Sequence, residues 1–293
     1  MPLARLVGRQ ASTSQPLPAM LNLGNLRIPA PAVMGILNVT PDSFSDGGCF
    51  DNPHIALRQA ATMAEGGAAI IDIGGESTRP GAGSVGDQQE LDRVIPIIEA
   101  VKFVSDIPIS IDTSKAAVMR EAIAAGASMI NDVRALQSEG ALQAAADLQV
   151  PVCLMHMRGE PRTMQQSPEY EDVVADVATF LEERIACCVG AGLDEDLIIV
   201  DPGFGFGKTH QHNVELLTNL RQLRVRNRPI LVGVSRKSTL GELTQREVHE
   251  RLPASVAAAV VSVMKGADIV RAHDVQATVD ALKVAQAVIE AGE

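Results

Sequence analysis

MGILNVTPDSFSDGG, residues 34–48, is the stretch that decides the fold. It begins with a short apolar run, which predicts a buried strand. The run ends at the polar Asn38, and the following residues, with Pro41 and a glycine pair, have the composition of a loop. Phe44 within that loop has two interpretations. Its ring either folds back on the body of the protein or belongs to a lid that carries its own hydrophobic contact to a ligand.

The same pattern recurs along the chain: an apolar run ends in a polar residue, and a Gly/Ser/Pro-rich loop and a helical pattern follow. Eight such units in about 260 residues are typical of a (β/α)8 TIM barrel. Periodicity alone would also fit a doubly wound sheet. In a barrel, however, the polar strand ends meet at one rim, where barrel active sites lie. The predicted rim residues are Asn38, Asp112, Asn131, His156, Asp201, Lys237, Arg271 and His273.

Composition favours such a fold. Of the 293 residues, 46% are hydrophobic and only 2% are aromatic, so we expect a core of Ala, Val, Ile and Leu. That composition suits parallel strands covered by helices. The net charge of −11 argues against a surface for nucleic acid or for an anionic membrane. An anionic small molecule would need a local basic pocket.

We expect a loose leader over residues 1–20 and a single domain over residues 21–293, which opens with a short hairpin. The longest apolar run, residues 256–264, is too short to span a bilayer. Because the leader has no apolar signal core, we expect a cytoplasmic protein with reduced thiols. The four cysteines are Cys49, Cys153, Cys187 and Cys188.

The glycine-rich stretch PGFGFGKT, residues 202–209, looks like a phosphate-binding loop but lacks the Walker spacing, because Pro202 stands where the first glycine should be. We interpret it as a wall beside a planar ligand, with Phe204 or Phe206 as its flat face. Solvent exposure is the favoured interpretation for the two histidines that follow, and Lys208 is as easily a solvated charge as a functional one.

The rim residues suit a ligand with two chemically different ends. Buried acceptors on one side would satisfy a heterocycle with a guanidine-like edge, and Lys237 would donate to its opposite edge. The acceptors are Asp112, Asn131 and Asp201. A cationic cluster with neighbouring donors would bind phosphate or pyrophosphate. That cluster comprises Arg79, Arg271 and His273, with Asn38, Ser77 and Thr78 as donors.

At these positions the chain resembles the dihydropteroate synthase family. The resemblance covers Met34 to His273 and rests on eight motifs in the family's order: GILNVTPDSFSDGG, DIGGESTRPG, SIDTS, INDV, LMHM, DPGFGFGKT, VSRKS and RAHDV. It implies a homodimeric (β/α)8 enzyme of folate biosynthesis that condenses 6-hydroxymethyl-7,8-dihydropterin diphosphate with p-aminobenzoate. The products are 7,8-dihydropteroate and pyrophosphate, Mg²⁺ assists, and sulfonamide drugs mimic p-aminobenzoate.

The resemblance also implies roles for particular residues. The pterin-binding positions are Asp112, Asn131, Met155, Asp201, Phe206, Lys237 and Arg271. The pyrophosphate-binding positions are Asn38, Arg271 and His273, and Asn38 also contacts the metal. The p-aminobenzoate region comprises Phe44, Thr78, Arg79, Pro80, Lys237 and Ser238. The residues expected to act in catalysis are Asp112, Lys237 and Arg79.

The chemistry of the reaction predicts a dissociative, SN1-like path, because an electron-rich ring delocalises the cation left when pyrophosphate departs. The Asp112 carboxylate would stabilise that cation, and Mg²⁺ with the Arg/His cluster would neutralise the leaving group. Two alternatives are a pterin-binding methyltransferase domain with a corrinoid partner, and an inactive paralogue that acts as a dimerisation or regulatory partner. The candidate dimer surface is the apolar helix predicted over Ser255 to Met264.

Overall fold

The computed structural model describes residues 20–40, 52–77, 83, 85–159, 164 and 168–291. The predicted leader therefore lies outside the described residues, apart from Met20. So do four residues of the expected p-aminobenzoate region: Phe44, Thr78, Arg79 and Pro80.

The described residues form a two-stranded hairpin followed by an eight-stranded parallel sheet that curves into a barrel. The hairpin strands are β1 (Met20–Leu23) and β2 (Leu26–Pro29). The barrel strands are β3 (Ala32–Asn38), β4 (Ile70–Gly74), β5 (Ile109–Asp112), β6 (Met129–Asp132), β7 (Val152–Met155), β8 (Ile198–Asp201), β9 (Leu231–Val232) and β10 (Ile269–Ala272). Their order is β8-β7-β6-β5-β4-β3-β10-β9, and a parallel bridge between Val200 and Ile230 joins its two ends. The predicted TIM barrel with an N-terminal hairpin is confirmed.

Helices surround the sheet. They are α1 (Asn52–Glu65), α2 (Asp87–Val104), α3 (Ala116–Ala124), α4 (Ala141–Leu148), α5 (Val173–Gly190), α6 (His210–Thr218), α7 (Ser238–Thr244), α8 (Leu252–Met264) and α9 (Val275–Ala291). None of the helices in the described part of the chain is long and apolar enough to cross a membrane. Two cysteines, Cys153 and Cys188, are buried as free thiols, and Cys187 is an exposed free thiol.

The interior of the barrel is divided along its axis. Inward-facing residues near the strand starts form an apolar layer that packs on the hairpin, and it includes Ile70, Met129, Ile199 and Ile269. Side chains on a strand alternate between faces, so residues two positions further on face inward again. On β4, β6, β8 and β10 those residues are Asp72, Asn131, Asp201 and Arg271. The alternation therefore places polar groups directly above the apolar layer.

The hairpin closes the lower end of the barrel. Leu21, Leu23 and Ile28 are almost fully buried in the apolar layer. The turn between the strands contains Gly24 in the left-handed region, where a Cβ atom would lie 2.7 Å from Leu197 Cδ2. Glycine therefore fits both the backbone conformation and the close approach.

Candidate functional site

Arg271 is the centre of a charged cluster inside the upper barrel. Its Nε donates to Asp72 Oδ2 at 2.6 Å, and its Nη2 donates to Asp112 Oδ2 at 2.8 Å. Asn131 Nδ2 also donates to Asp72 Oδ2, at 3.0 Å. Burial alone would lower the pKa of Arg271, but the two carboxylates raise it above its ordinary value. The guanidinium is therefore a permanent cation held between the carboxylates of β4 and β5.

Asp72 is a member of this cluster that sequence reasoning missed. It is fully buried within β4, and its Oδ1 has no hydrogen-bond partner among the described residues. A buried carboxylate oxygen without a donor is costly, so Asp72 leaves an acceptor for a ligand. The available signal was a single charged residue in the otherwise apolar run Ile70–Gly74.

Two predicted rim residues lie on either side of Gly74. A Cβ atom there would lie 3.6 Å from Asp112 Oδ2 and 3.7 Å from Asn38 Oδ1. The carboxylate of Asp112 and the amide oxygen of Asn38 therefore face the same space above β4. Oxygen atoms of this type are the ligands that Mg²⁺ prefers.

The second carboxylate of the rim, Asp201, lies across the barrel at the end of β8. Its Oδ1 accepts the backbone N–H of Gly203 at 2.7 Å. Burial raises the pKa of Asp201 to about 6, although the Gly203 hydrogen bond and Lys237 oppose the shift. Burial likewise raises the pKa of Asp112 to about 7, against the opposing charge of Arg271. Both carboxyls thus titrate close to neutral pH.

Lys237 lies over the ring of Phe206, with Nζ 4.0 Å from the ring centroid. Burial lowers the pKa of Lys237 to about 8, and Arg271 adds to the shift. Of the two phenylalanines proposed as a flat wall, Phe206 borders the site, whereas Phe204 belongs to the main hydrophobic core. Phe206 packs with Met155, another predicted pterin contact.

The turn before α7 sets the direction of Lys237. Arg236 has a φ of +58°, which costs energy in a residue other than glycine. Its guanidinium pairs with both carboxylate oxygens of Asp274, at 3.0 and 2.6 Å. Its backbone N–H donates to Ser255 Oγ at 2.9 Å, and its carbonyl accepts from Arg251 Nη1 at 3.1 Å. These contacts of the Arg236 side chain and backbone hold the turn in place.

His273 lies beside the same turn. Its Nδ1 is 3.0 Å from Ser235 Oγ, and its backbone N–H donates to that oxygen at 3.2 Å. Burial lowers the pKa of His273 to about 4, with Arg271 and Arg236 adding to the effect. At neutral pH the imidazole is therefore neutral. Among the described residues of the predicted anion cluster, Arg271 provides the positive charge and His273 provides hydrogen bonds.

The interpretation of Lys208 as a solvated charge is wrong. Its side chain is buried, and it contacts His156 and two loop carbonyls rather than water. Burial lowers the pKa of His156 to about 2, and the nearby Lys208 adds to this. His156, expected at the rim, therefore faces the loop after β8. Nothing in the sequence distinguishes Lys208 from an exposed lysine, because its acceptors come from the fold.

The same barrel occurs in known proteins that match this chain. The family model described as pterin binding enzyme matches residues 34–273. The dihydropteroate synthase of Escherichia coli K12 is 51% identical over 269 residues, which cover 92% of this chain and 95% of the relative.

The chain belongs to the dihydropteroate synthase family. Its structure resembles the Yersinia pestis dihydropteroate synthase in complex with a sulfonamide drug, with a TM-score of 0.89 and 50% identity, covering 92% of this chain and 99% of that one. It also resembles the Xanthomonas albilineans dihydropteroate synthase in complex with 7,8-dihydropteroate, with a TM-score of 0.84 and 48% identity, covering 92% and 98%. The resemblance predicted from the motifs is confirmed.

Most site residues predicted for a dihydropteroate synthase are brought to one end of the barrel. Ser238 begins α7 directly after Lys237 and is exposed. The described part of the chain contains no group of three His, Cys, Asp or Glu side chains that could hold a metal. The residues that lie together near the strand ends are Asn38, Asp72, Asp112, Asn131, Met155, Asp201, Phe206, Lys237, Arg271 and His273.

Proposed function

We propose that this member of the dihydropteroate synthase family condenses 6-hydroxymethyl-7,8-dihydropterin diphosphate with p-aminobenzoate to 7,8-dihydropteroate and pyrophosphate. The observation that carries the proposal is the buried cluster of Asp72, Asp112, Asn131 and Arg271, contributed by β4, β5, β6 and β10, with Asp201 opposite. It offers several acceptors in a small desolvated space, as the amino and ring N–H groups of a pterin require.

The pterin would lie between the acceptors and the wall of Met155 and Phe206. Asp112 and Asp201 accept N–H groups of the pyrimidine edge, and this lowers their pKa values, because donors favour the ionised carboxylate. Lys237 donates to the carbonyl or ring nitrogen of the opposite edge. Arg271 presents a planar cation above the carboxylates and stacks on the heterocycle.

The diphosphate would lie above Gly74, where Asn38 and the Asp112 carboxylate face the same space. Arg271 supplies charge, and the neutral His273 supplies a hydrogen-bonding nitrogen. The p-aminobenzoate then approaches Lys237, in the turn before α7, and Ser238, the first residue of α7, with Phe44, Thr78, Arg79 and Pro80 completing its surroundings as the resemblance implies.

The donors present fit Mg²⁺ that arrives with the diphosphate. Asn38 contributes one amide oxygen beside one carboxylate, and Mg²⁺ commonly keeps its waters and uses one or two protein oxygens plus substrate phosphates. Bound there, Mg²⁺ would neutralise the charge of the leaving pyrophosphate.

The residues of this chain favour an SN1-like path. Asp112 lies near the pterin and stabilises the positive charge that develops on the ring as the C–O bond to pyrophosphate breaks. Arg271 and His273 stabilise the departing anion. The neutral aniline nitrogen of p-aminobenzoate then attacks the methylene cation. The ammonium formed is strongly acidic and loses its proton to water or to the released pyrophosphate, so no strong general base is needed.

The test is a pyrophosphate-release assay with the purified protein. Release should require both substrates and Mg²⁺, and it should produce 7,8-dihydropteroate in equal amount. Release without p-aminobenzoate would indicate hydrolysis instead. A methyl transfer that requires a corrinoid protein, or the absence of any turnover, would favour the methyltransferase or inactive-paralogue interpretation.

We further propose that the enzyme is a homodimer that works in the cytoplasm. The predicted interface helix α8 buries one face on the barrel but exposes Val261 and Met264, which are 41% and 51% accessible. The neighbouring α9 exposes Val284 and Val288, at 66% and 61%. Exposed apolar side chains on two packed helices are typical of an interface.

Sedimentation velocity at micromolar concentration should show a dimer for the wild type and a monomer for the Val261→Lys/Val288→Lys variant. Val214→Lys on α6, another exposed valine, should leave the dimer intact. A monomeric wild type would contradict the proposal, and cell fractionation tests the location.

A further inference from the structure

Lys208 closes the loop that follows β8 and directs its ammonium group into the protein. Nζ lies 2.9 Å from each of three acceptors, the carbonyl oxygens of Gly203 and Phe206 and Nδ1 of His156. The His156 carbonyl is a further acceptor at 3.3 Å. An ammonium group has three N–H donors. All of them are used within the protein, which leaves none for a phosphate group.

The loop backbone lies directly on the segment that follows β7. A Cβ atom at Gly203 would lie 1.8 Å from the carbonyl oxygen of His156, and one at Gly207 would lie 2.2 Å from that of Arg158. Tyr170 Oη also donates to the carbonyl of Gly207 at 2.8 Å. These close contacts fix the position of the loop backbone, and the Lys208 side chain joins its residues Gly203 and Phe206.

Both carbonyls bound by Lys208 belong to residues that shape the site. Gly203 donates its own N–H to Asp201 Oδ1 at 2.7 Å, and the ring of Phe206 lies under the ammonium of Lys237. The Asp201 carboxylate is therefore connected to the Lys208 ammonium through Gly203, and the Phe206 ring is connected to it through the Phe206 backbone. Removing that ammonium would loosen both the Asp201 carboxylate and the Phe206 ring, which line the pocket.

We propose that Lys208 is a positioning residue for the pterin substrate: its buried ammonium fixes the carbonyls of Gly203 and Phe206 and, through them, the Asp201 carboxylate and the Phe206 ring. This inference rests on the proposed function of the site. Lys208 never touches the substrate, so its effect appears in pterin affinity and not in the binding of pyrophosphate, which uses Asn38, Arg271 and His273.

The charge of Lys208 also acts on Asp201 across the loop. Burial lowers the pKa of Lys208 to about 7, while the Asp201 carboxylate opposes the shift. In return Lys208 lowers the pKa of Asp201, as do Lys237 from the turn before α7 and Arg271 from β10. The other charged group that acts on Lys208, besides Lys237, is Arg158. Removing Lys208 should raise the pKa of Asp201.

The experiment compares Lys208→Met and Lys208→Gln with wild type and with Lys102→Met, which replaces an exposed lysine in the last turn of α2. Pterin-6-carboxylate is titrated by fluorescence and pyrophosphate by calorimetry. We expect Lys208→Met to bind the pterin about tenfold more weakly, the equivalent of about 1.4 kcal/mol, with Lys208→Gln intermediate. Pyrophosphate affinity should stay within about twofold, and Lys102→Met should match wild type for both ligands.

A second measurement separates charge from loop packing. The pH at which pterin affinity is half lost on acidification should be higher in Lys208→Gln than in wild type, because Asp201 protonates at higher pH without the neighbouring cation. A role limited to packing would lower affinity at every pH without moving that midpoint.

Unchanged pterin affinity in folded Lys208→Met, or an equal loss for pterin and pyrophosphate, would overturn the proposal. If both variants fail to fold, His156→Leu removes one acceptor, and we expect about a threefold loss of pterin affinity; no loss would overturn the proposal as well. Failure of the proposed function would appear separately, as a wild type that binds pterin without releasing pyrophosphate.

Discussion

Asp112 is a single carboxylate that both pairs with Arg271 and faces the space above Gly74. We expect Asp112→Asn to fold normally, because the amide oxygen still accepts from Arg271, which also keeps Asp72. Turnover should fall on the order of a hundredfold, the scale of one lost electrostatic contact to a transition state. The measurement is steady-state pyrophosphate release, checked against circular dichroism. Turnover within a few-fold of wild type would mean that no cation is stabilised at this position.

The buried charge of Asp201 should lower the thermal stability of the protein. Its pKa is about 6 in the folded protein, against an ordinary value of 3.8 for an aspartate in water. Its charge therefore destabilises the fold above about pH 6, and the penalty disappears as pH falls towards 4. Asp201→Asn keeps an oxygen for the Gly203 N–H. We expect this variant to have a Tm a few degrees above wild type at pH 8 and to lose pterin affinity.

The pH dependence provides the control for this variant. Thermal unfolding at pH 4 should show little difference between Asp201→Asn and wild type, because both side chains are then neutral in the folded protein. A lower Tm at pH 8, or a difference that does not depend on pH, would contradict the role assigned to the charge.

Site residues at the ends of strands could be predicted from the sequence. Residues whose contacts come from distant parts of the chain could not. Asp112, Asn131 and Asp201 lie at strand ends, so their convergence follows from the barrel. Asp72 stands two residues before the end of β4, and its ion pair with Arg271 joins residues 199 positions apart. Lys208 is buried only because distant carbonyls surround it.

At the scale of elements, the pair between Arg236 and Asp274 fastens the turn before α7 to the start of α9. Asp274→Asn removes the charge of the pair but retains a side chain that can cap a helix. We expect kcat/KM to fall between about tenfold and a hundredfold, because small displacements of a positioning group have effects of that size. The measurement is steady-state kinetics with each substrate varied.

The matched control is Asp280→Asn on the same helix, where the carboxylate is exposed and lies 3.9 Å from Lys283 Nζ. It should leave kcat/KM unchanged. Equal effects of the two substitutions would show that helix charge, and not the turn that carries Lys237, determines the result.

The start of α3 and the end of α6 show how the fold overrides local sequence signals. Thr113 and Ser114 are residue types that commonly cap helices, but Ser114 Oγ donates to Asp132 instead, and α3 begins at Ala116 after Lys115. The buried Asp132 carboxylate also accepts two backbone N–H groups. Ser114 therefore stabilises this buried carboxylate and does not cap the helix. Helix α6 ends at Thr218, and a 3-10 turn over Leu220–Leu223 follows.

At the scale of the whole molecule, the affinity for p-aminobenzoate should depend on pyrophosphate and Mg²⁺, whereas the affinity for the pterin should not. Pterin contacts lie on strand ends that the barrel fixes, whereas the expected p-aminobenzoate contacts Phe44, Thr78, Arg79 and Pro80 belong to two connecting segments. We expect p-aminobenzoate to bind at least about tenfold more tightly when pyrophosphate and Mg²⁺ are present, because an anion gives Arg79 and Asn38 a common partner. Calorimetric titration measures this.

The comparison needs the same titration with a chelator and a parallel titration of pterin-6-carboxylate, whose affinity should not require pyrophosphate. Equal p-aminobenzoate affinity in all conditions would indicate that its site is complete in the free protein.

The hairpin under the barrel sets a limit on what the rim can tolerate. Leu23 lies in the apolar layer, and Leu23→Ala should cost about 2–5 kcal/mol of unfolding free energy while leaving kcat unchanged in the folded fraction. Rim substitutions that the wild type survives should then unfold the double variant, which a chemical denaturation series would show. When an inhibitor selects for substitutions at the rim, the stability that the hairpin contributes limits which of them are possible. A better-packed hairpin enlarges the set of substitutions that the enzyme can accept and still fold.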